Sequence, residues 1–570
     1  MREIEEKYND KYITLEDIKT IKNNYHKKSF VKRFFINKLI EIKVSLKNKS
    51  YIKKELIKER ELLDNINGYP LDLNQRIAVI TDENKTLVVA GAGSGKTLTI
   101  IGKIRYLVEV KKIKQEDILC ISFTNESVNS IKQALTKKYN YNISVRTFHK
   151  LSLEILKNKQ NVSIAPADYL EYLIDEYFNS DIFYEEDNLY YLKEYLKITY
   201  RDENIEEEYL DQLKRIIITF INIFKANDYE LEDFKYLFFK IEKLHPKHKK
   251  SNKLLLLIII NIYLKYDNEL KSANSIDFSD MINIASKHIK NNKIKLNYKY
   301  IIIDEYQDTS LTRFNLINNI IENNKAKLFV VGDDFQSIYG FTGCNLDIFL
   351  NFKKYVGGAK TLKITKTYRT PKELIEVAGK FVMRNKRQIR KVLIANKKIK
   401  KPIVICYYKD IIKSVISIID KINCGNILIL GRNNKDINMI VDNLNFINEN
   451  GMLKYSKNSN INLKYLTVHR SKGLEEDNVI MLNMINGITG FPNKIQNAEL
   501  ISMITKKDNF LYEEERRLFY VAITRTKNKV YLMVPTTNES VFIKELKKYY
   551  KNNMSIKNLQ WFTNKLINNI

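Results

Sequence analysis

The run Ala90-Gly91-Ala92-Gly93-Ser94-Gly95-Lys96-Thr97 holds the most demanding chemistry in the chain. Its glycines let successive backbone N–H groups turn inward around phosphate oxygens. Lys96 would bring positive charge to a β- and γ-phosphate pair, and Thr97 would offer a hydroxyl to Mg²⁺. A glycine-rich loop can be no more than a tight turn. Here, however, Gly-Lys-Thr follows the apolar run Leu87-Val88-Val89-Ala90 and precedes a helical pattern over 98–108, which is the context of a phosphate-binding loop. A second group, Asp304-Glu305-Tyr306-Gln307-Asp308, follows the apolar run 300–303. Adjacent acids alone usually mark a solvated turn. Paired with the loop, Asp304 is expected to hold a metal's water shell and Glu305 to polarise an attacking water. ATP and Mg²⁺ are the cofactors these residues imply.

Elements must bring these residues together. Short apolar runs at 87–90, 118–121 and 300–303 read as strands buried on both faces of a parallel sheet, with ligands expected at their C-terminal ends. Further strands are expected at 328–331, 403–407, 427–430, 479–482 and 530–534, the later ones forming a second α/β domain after about Thr361. Between about 150 and 292 the chain is helical in pattern and has no glycine, which suggests a helical domain inserted into the first. Residues 1–67 read as a separate basic helical element, closed by Gly68 and Pro70.

With 570 residues, 44% of them hydrophobic, the chain is long enough for two or more cores. An excess of 96 Lys+Arg over 67 Asp+Glu gives a net charge of +29, which favours a polyanionic partner. A composition crowded with Lys, Asn, Ile and Tyr can equally reflect a biased genome. Four cysteines, Cys120, Cys344, Cys406 and Cys424, match no zinc spacing and no disulfide framework, in keeping with a reducing cytosol. The longest apolar run, around 254–260, is too short to span a bilayer, and no membrane partner is expected.

In the order of their motifs, residues 73–534 resemble the UvrD/Rep family of superfamily 1 helicases. Leu73-Asn74-Gln75-Arg76 is similar to the family's glutamine motif, which implies that Gln75 reads adenine. Ser122-Phe123-Thr124-Asn125 and Thr147-Phe148-His149 resemble motifs that line the DNA track. The run 331–340 resembles the third motif, which implies that Gln336 senses the γ-phosphate and that Tyr339 and Phe341 face DNA. Thr367-Tyr368-Arg369 resembles the fourth, with Tyr368 stacking on adenine and Arg369 reaching the γ-phosphate. The run 468–475 resembles the fifth, with Gly473 and Glu475 near the sugar and His469 toward DNA. The run 515–525 resembles the sixth, making Arg525 a second arginine finger. A Phe or Tyr is more often core than platform, and an arginine on a helix normally covers solvent; position within the motifs favours the functional role for Phe123, Phe148, Tyr339, Phe341, Arg369 and Arg525.

The resemblance implies an α/β fold of two RecA-like P-loop NTPase domains with parallel sheets, a helical insertion and a helical N-terminal extension. The expected division is a 1–67 extension, a first RecA-like domain over 68–150 and 293–360, an insertion over 151–292, and a second RecA-like domain with a tail over 361–570. It further implies a motor moving 3′ to 5′ on single-stranded DNA and opening tailed duplex in repair or recombination, in the bacterial cytosol or nucleoid. An alternative within the same fold is a translocase that remodels nucleoprotein complexes, for example RNA polymerase-associated, without unwinding. Two departures stand out. Phe341-Thr342-Gly343 replaces the Trp-Arg-Gly of many relatives and loses a cation, and only about a hundred residues separate Arg369 from His469, so the large helical insertion of UvrD and Rep is expected to be missing. The short spacing, Phe-Thr-Gly-Cys and the basic extension look more like the helicase IV branch. The tail after 534, rich in Lys and Asn and containing Trp561, is too short for a fused nuclease.

Overall fold

The computed structural model of the protein describes residues 7–8, 10–157, 162–181, 185–201, 205–291, 294, 296–441, 446–449, 452–455, 457–495, 498–505 and 510–559. Trp561 and the first six residues lie outside this set. The first sheet has six parallel strands: β1 (Lys85–Ala90), β2 (Ile118–Ile121), β3 (Ser144–Arg146), β4 (Tyr300–Ile303), β5 (Lys327–Gly332) and β6 (Lys360–Ile364), in the order β3-β2-β4-β5-β1-β6. Alternate side chains leave opposite faces of a strand, so a sheet covered on both sides needs apolar residues at every position. Leu87, Val89, Ile301 and Ile303 enter one core, and Val88, Ala90, Tyr300 and Ile302 enter the other.

The second sheet follows the same rule. Its strands are β7 (Ile403–Tyr408), β8 (Gly425–Gly431), β9 (Phe446–Glu449), β10 (Met452–Tyr455), β11 (Ile461–Thr467), β12 (Glu476–Met481), β13 (Thr526–Pro535) and β14 (Met554–Asn558). They run in the order β9-β10-β11-β8-β12-β13-β7-β14. Six are parallel, and β9 and β10 add an antiparallel edge. Two parallel, doubly covered sheets give the expected RecA-like pair.

Three features depart from the expected organisation. The boundary set at 361 falls inside β6, which pairs in register with β1 (Thr86 opposite Lys360 to Ala90 opposite Ile364), so the first sheet extends to Ile364. The tail is a structural part of the second lobe: β14 pairs with β7, and helix Val541–Tyr550 buries Phe542, Ile543 and Leu546 in the core of that lobe. The N-terminal element is not separate either, because Tyr51, Leu63 and Ile66 share a core with Val88 and Ala90, and the Leu15 amide donates to Glu83 Oε1 at 2.9 Å.

The helical insertion has its own core, drawn from Ala165 to Leu270. Helix Glu207–Ala226 shows why: Leu213, Ile217, Phe220, Ile221 and Phe224 recur at three- and four-residue spacing and form one buried stripe. Helices Phe148–Lys157 and Phe278–Lys290, which flank this unit, pack instead on the first sheet. A strap from the second lobe completes the bundle. Its helix Glu499–Ile504 inserts Leu500, Ile501 and Ile504 into the bundle core, and Lys240 Nζ donates to the Met503 carbonyl at 2.9 Å. Among the described residues no helix is long and apolar enough to cross a membrane.

The insertion is pinned to the first lobe by Lys225, 5% exposed, whose Nζ lies 2.5 Å from Asp277 Oδ2 and 2.7 Å from Asp280 Oδ2. Removing the cation would leave two carboxylates facing each other out of water. Lys225→Met should therefore destabilise this joint by about 3 kcal/mol, and Lys225→Met/Asp280→Asn should recover much of the loss. Urea denaturation followed by circular dichroism tests this, and an unchanged midpoint in the single variant would rule out the pin.

Candidate nucleotide and nucleic-acid site

The phosphate-loop residues leave the C-terminal end of β1, and Lys96 and Thr97 open helix Lys96–Arg105. Gly93 and Gly95 take φ values of +67° and +73°, which a side chain would strain. Space forbids one as well. A Cβ on Gly93 would stand 2.5 Å from Arg369 Cβ, and one on Gly95 would stand 2.7 Å from Gln75 Nε2. Ala90 is buried in the strand. Against Gly91 lies Leu393, and the Ala92 carbonyl accepts from Thr367 Oγ1 at 2.7 Å. The second lobe thus sits directly on the loop. Gln75 braces it from below, with Nε2 donating to the Ser94 carbonyl at 2.9 Å and Oε1 accepting from the Asp72 amide at 2.8 Å. Tyr368 is 52% exposed and donates from its hydroxyl to Asp72 Oδ2 at 3.0 Å. A half-exposed aromatic ring, with Lys366 Nζ over one face at 5.2 Å, and a buried amide are therefore gathered around Asp72, in a place that suits a base.

Lys96 reaches across to Glu305 at the end of β4, with Nζ 2.6 Å from Oε1 and 2.7 Å from Oε2. Glu305 adopts φ 49° and ψ 38°, a region costly for a non-glycine residue and one that clusters at functional sites. Burial would raise its carboxyl, but the charges of Lys96 and Lys472 and the hydrogen bonds from Lys96 and Gln307 outweigh this and hold it down at about 2. Asp304 is driven the other way. Burial, and then the charge of Glu305, push it up to about 7, against the pull of Lys96. A buried carboxylate in that state is short of positive charge, and the Ser94 hydroxyl nearby in the loop is buried without a partner. Both fit a site for Mg²⁺ and phosphate, with Asp304 and Thr97 as the metal-side groups.

From Glu305 a line of hydrogen bonds crosses the cleft. Gln307 Nε2 donates to Glu305 Oε2 at 2.6 Å, and Gln307 Oε1 accepts from the Asp333 amide at 2.8 Å. Gln336 Nε2 donates to Asp333 Oδ2 at 2.6 Å, and Gln336 Oε1 accepts from Arg525 Nη2 at 3.2 Å. Arg525 is 1% exposed. Burial, and then the charge of Arg369, lower it to about 9, so it keeps its charge at neutral pH. Arg369 is ion-paired through Nε with Glu475, which also lies 3.8 Å from Lys527. Gly473, at φ +87°, is exposed with open space around it. Lys96, Asp304, Glu305 and Gln336 of one lobe and Arg369 and Arg525 of the other therefore face a single cleft.

Several residues of this network had no role assigned from sequence. Gln307 and Asp333 lie inside recognised motifs, and their polar side chains at strand ends were the available signal. Lys472 Nζ bonds Asp308 Oδ2 at 2.5 Å and the Gln336 carbonyl at 2.7 Å, tying the fifth motif to the second and third. Lys391 gave no signal, standing in a lysine- and arginine-rich stretch that reads as surface. In the fold it is fully buried between the lobes, with Nζ 2.5 Å from Asp333 Oδ1 and 2.6 Å from Asp334 Oδ1.

The residues expected along a nucleic-acid track fall into two groups. Phe123, Phe148 and His149 gather at the ends of β2 and β3, with the two phenylalanine rings 5.3 Å apart and His149 5.4 Å from Phe278. Phe148 is 2% exposed and belongs to the core of the first lobe, so, against expectation, it offers no face to a base. Thr124 and Asn125 are exposed, and Thr124 caps helix Asn125–Tyr139 by accepting from the Ser127 amide at 3.2 Å. The Thr147 hydroxyl accepts similarly from the Lys150 amide at 3.2 Å. Across the cleft, Tyr339, Phe341 and His469 meet: Phe341 is edge-on to His469 at 5.4 Å, and Tyr339 donates to the His469 carbonyl at 3.1 Å. Lys472 covers the Tyr339 ring at 4.7 Å, which leaves Phe341, 50% exposed, as the open aromatic.

Comparison with known proteins gives the family. The UvrD/REP helicase N-terminal domain model matches residues 71–357, and the UvrD-like helicase C-terminal domain model matches residues 433–537. DNA helicase IV of Escherichia coli (strain K12) is 26% identical over 523 residues, spanning 88% of this chain and 73% of that protein. A probable DNA helicase of Mycoplasma pneumoniae is 25% identical over 522 residues, 84% of this chain and 85% of the relative. ATP-dependent DNA helicase Rep of Buchnera aphidicola subsp. Schizaphis graminum is 28% identical over 376 residues, 62% of this chain and about half, 51%, of Rep. With one family model on each side of a cleft lined by residues of both lobes, the chain belongs to the UvrD/REP family of DNA helicases.

Proposed function

We propose that this protein is an ATP-driven motor that moves 3′ to 5′ along single-stranded DNA and separates the strands of a tailed duplex in repair or recombination. The observation that carries this is the unbroken line from Lys96 through Glu305, Gln307, Asp333 and Gln336 to Arg525, which joins groups suited to phosphoryl transfer on two lobes. Direction, DNA over RNA, a repair or recombination role and a place in the bacterial cytosol or nucleoid rest on family membership. Mg²⁺, when bound, would neutralise charge on the β- and γ-phosphates.

The protein's own groups have distinct tasks in this proposal. Lys96 leaves Glu305 for the γ-phosphate, and the freed carboxylate, still bonded by Gln307 and facing the charge of Lys472, orients and polarises the attacking water. Arg369 and Arg525 approach the same phosphate from the second lobe. An arginine supplied this way is worth roughly 10³ to 10⁵ in turnover, and its position makes lobe closure a condition of hydrolysis. Tyr368 stacks on adenine while Gln75 reads its edge, and Gly473 and Glu475 lie toward the sugar. Phe341 faces the strand, as do Thr124, Asn125, Thr147 and His149 beside Phe123, and Tyr339 and His469 hold the turn that presents Phe341. Stacking without base-specific hydrogen bonds allows movement along any sequence.

Four outcomes are expected. Lys96→Ala should abolish ATP hydrolysis while retaining DNA binding, and Glu305→Gln should bind ATP but turn it over very slowly; parent-like turnover in either would remove that residue from its role. Burial, and then the charge of Arg313, lower His149 to about 4, while burial, Arg432 and Lys472 lower His469 to about 4. Both imidazoles are therefore neutral at physiological pH and contribute packing rather than charge. Their ring resonances, assigned by His→Gln variants, should stay still in an NMR titration from neutral pH down to the mid-fives, and midpoints near neutrality would contradict this environment. Finally, ATPase should be stimulated by single-stranded DNA, with strand separation of a 3′-tailed duplex in parallel. Stimulation without separation would favour a translocase that remodels nucleoprotein complexes, and no stimulation would count against the track.

A further inference from the structure

The turn Phe341-Thr342-Gly343-Cys344 lacks a cation, but the fold places one beside it. Arg313, in the first turn of helix Leu311–Asn324, lies with its guanidinium 5.1 Å from the Phe123 ring centre and 5.8 Å from that of Phe148. Its side chain donates Nη1 to the Asp308 carbonyl at 3.2 Å. The same carbonyl accepts from Cys344 Sγ at 2.8 Å, and that sulfur lies 3.4 Å from Thr342 Oγ1. One backbone oxygen thus gathers Arg313 and the turn at a single point between the two aromatic groups. Among the described residues no carboxylate pairs with Arg313, in contrast to Lys472, Lys391 and Arg369. Most of its five donors remain available, and it is only partly buried.

We infer that Arg313 is a phosphate-binding residue of the single-stranded nucleic-acid track and supplies the positive charge that position 342 lacks. The inference rests on the proposed motor function. A guanidinium held over the Phe123 face is fixed in orientation by cation–π attraction while keeping its outer N–H groups for an anion. It also takes the ring face that would otherwise be open to a base, so Phe123 acts here by aiming Arg313, and base stacking falls to Phe341 across the turn. The nearby Thr342 hydroxyl donates to the Tyr339 carbonyl at 2.8 Å and is engaged within the turn.

Fluorescence anisotropy with a labelled oligothymidylate over a series of KCl concentrations tests this without depending on ATP turnover. Arg313→Ala should weaken binding roughly tenfold at moderate salt and lower the slope of log affinity against log salt by about one. Arg313→Lys should keep the parent slope. In the Arg313→Ala background, Thr342→Arg should restore slope and much of the affinity by returning a cation to the turn. Parent affinity and slope in Arg313→Ala would overturn the assignment. So would weaker binding at an unchanged slope, which would make Arg313 a brace for Phe123 and Phe148. A parent protein that does not bind the oligonucleotide would fail the motor reading itself, and the two failures are thereby distinguished.

Discussion

Everything around the cleft depends on a charge imbalance that the first lobe cannot settle alone. Asp304, Glu305, Asp308, Asp333 and Asp334 all lie at or just beyond the C-terminal ends of β4 and β5, where a parallel sheet places its ligands, and among the described residues only Lys96 of that lobe pairs with them. The deficit is met from the second lobe. Lys472 pairs with Asp308, and Lys391 with both Asp333 and Asp334. Buried carboxylates without such partners would be costly, so the two lobes are held in one arrangement by electrostatic need as well as by packing. Near Arg369 and Arg525 the balance reverses. There Arg525 is fully buried, with carbonyl and amide oxygens rather than a carboxylate as its hydrogen-bond partners. The cleft thus has an acid-rich wall closed by lysines and an arginine-rich wall still short of negative charge. A triphosphate with its metal supplies charge of both signs in that order, which gives closure a physical cause.

This asymmetry suggests how closure would reach the nucleic-acid face. Gln336 accepts from Arg525 on one side, and its own carbonyl accepts from Lys472, which covers Tyr339, whose hydroxyl holds the backbone of His469. A shift of the arginine toward a phosphate therefore disturbs a short, contiguous set of contacts that ends at the Phe341–His469 pair. Since Phe341 belongs to one lobe and His469 to the other, any rotation between lobes changes the aromatic surface presented to a strand. Differential affinity for the strand in two lobe arrangements is what a stepping motor requires.

Much of this was legible in the sequence, for a physical reason. A phosphate loop, an acidic strand end and an arginine-bearing helix are local: each is defined by a few consecutive residues whose spacing follows from the chemistry. Buried parallel strands announce themselves as continuous apolar runs, and eight of them are legible to within a few residues of their ends. Edge strands do not. Both lysines of β6 (Lys-Thr-Leu-Lys-Ile) are exposed, and β14 (Met-Ser-Ile-Lys-Asn) fully buries only Met554, so the first reads as a domain boundary and the second as part of the tail. Lys391 failed for the opposite reason: a lysine among lysines and arginines gives no sign of burial, and only the meeting of two lobes reveals it. Phe148 lay in the right motif, but whether an aromatic supports a surface or forms it depends on the layer beneath.

The strap at Glu499–Ile504 adds a constraint that no motif carries. The second lobe reaches the helical bundle through the strap, where Leu500, Ile501 and Ile504 are as deeply buried as the bundle's own residues. Deep apolar contacts are costly to break, as are the buried pairs of Lys391 and Lys472, whereas the partly exposed pairs Lys96–Glu305 and Arg369–Glu475 can exchange partners with a phosphate. A rotation that opens the cleft would therefore keep the strap docked and turn the bundle with the second lobe. The Lys225 pin resists that turn, because it ties the bundle to helix Phe278–Lys290 on the first sheet. The bundle is thus held from both lobes at once.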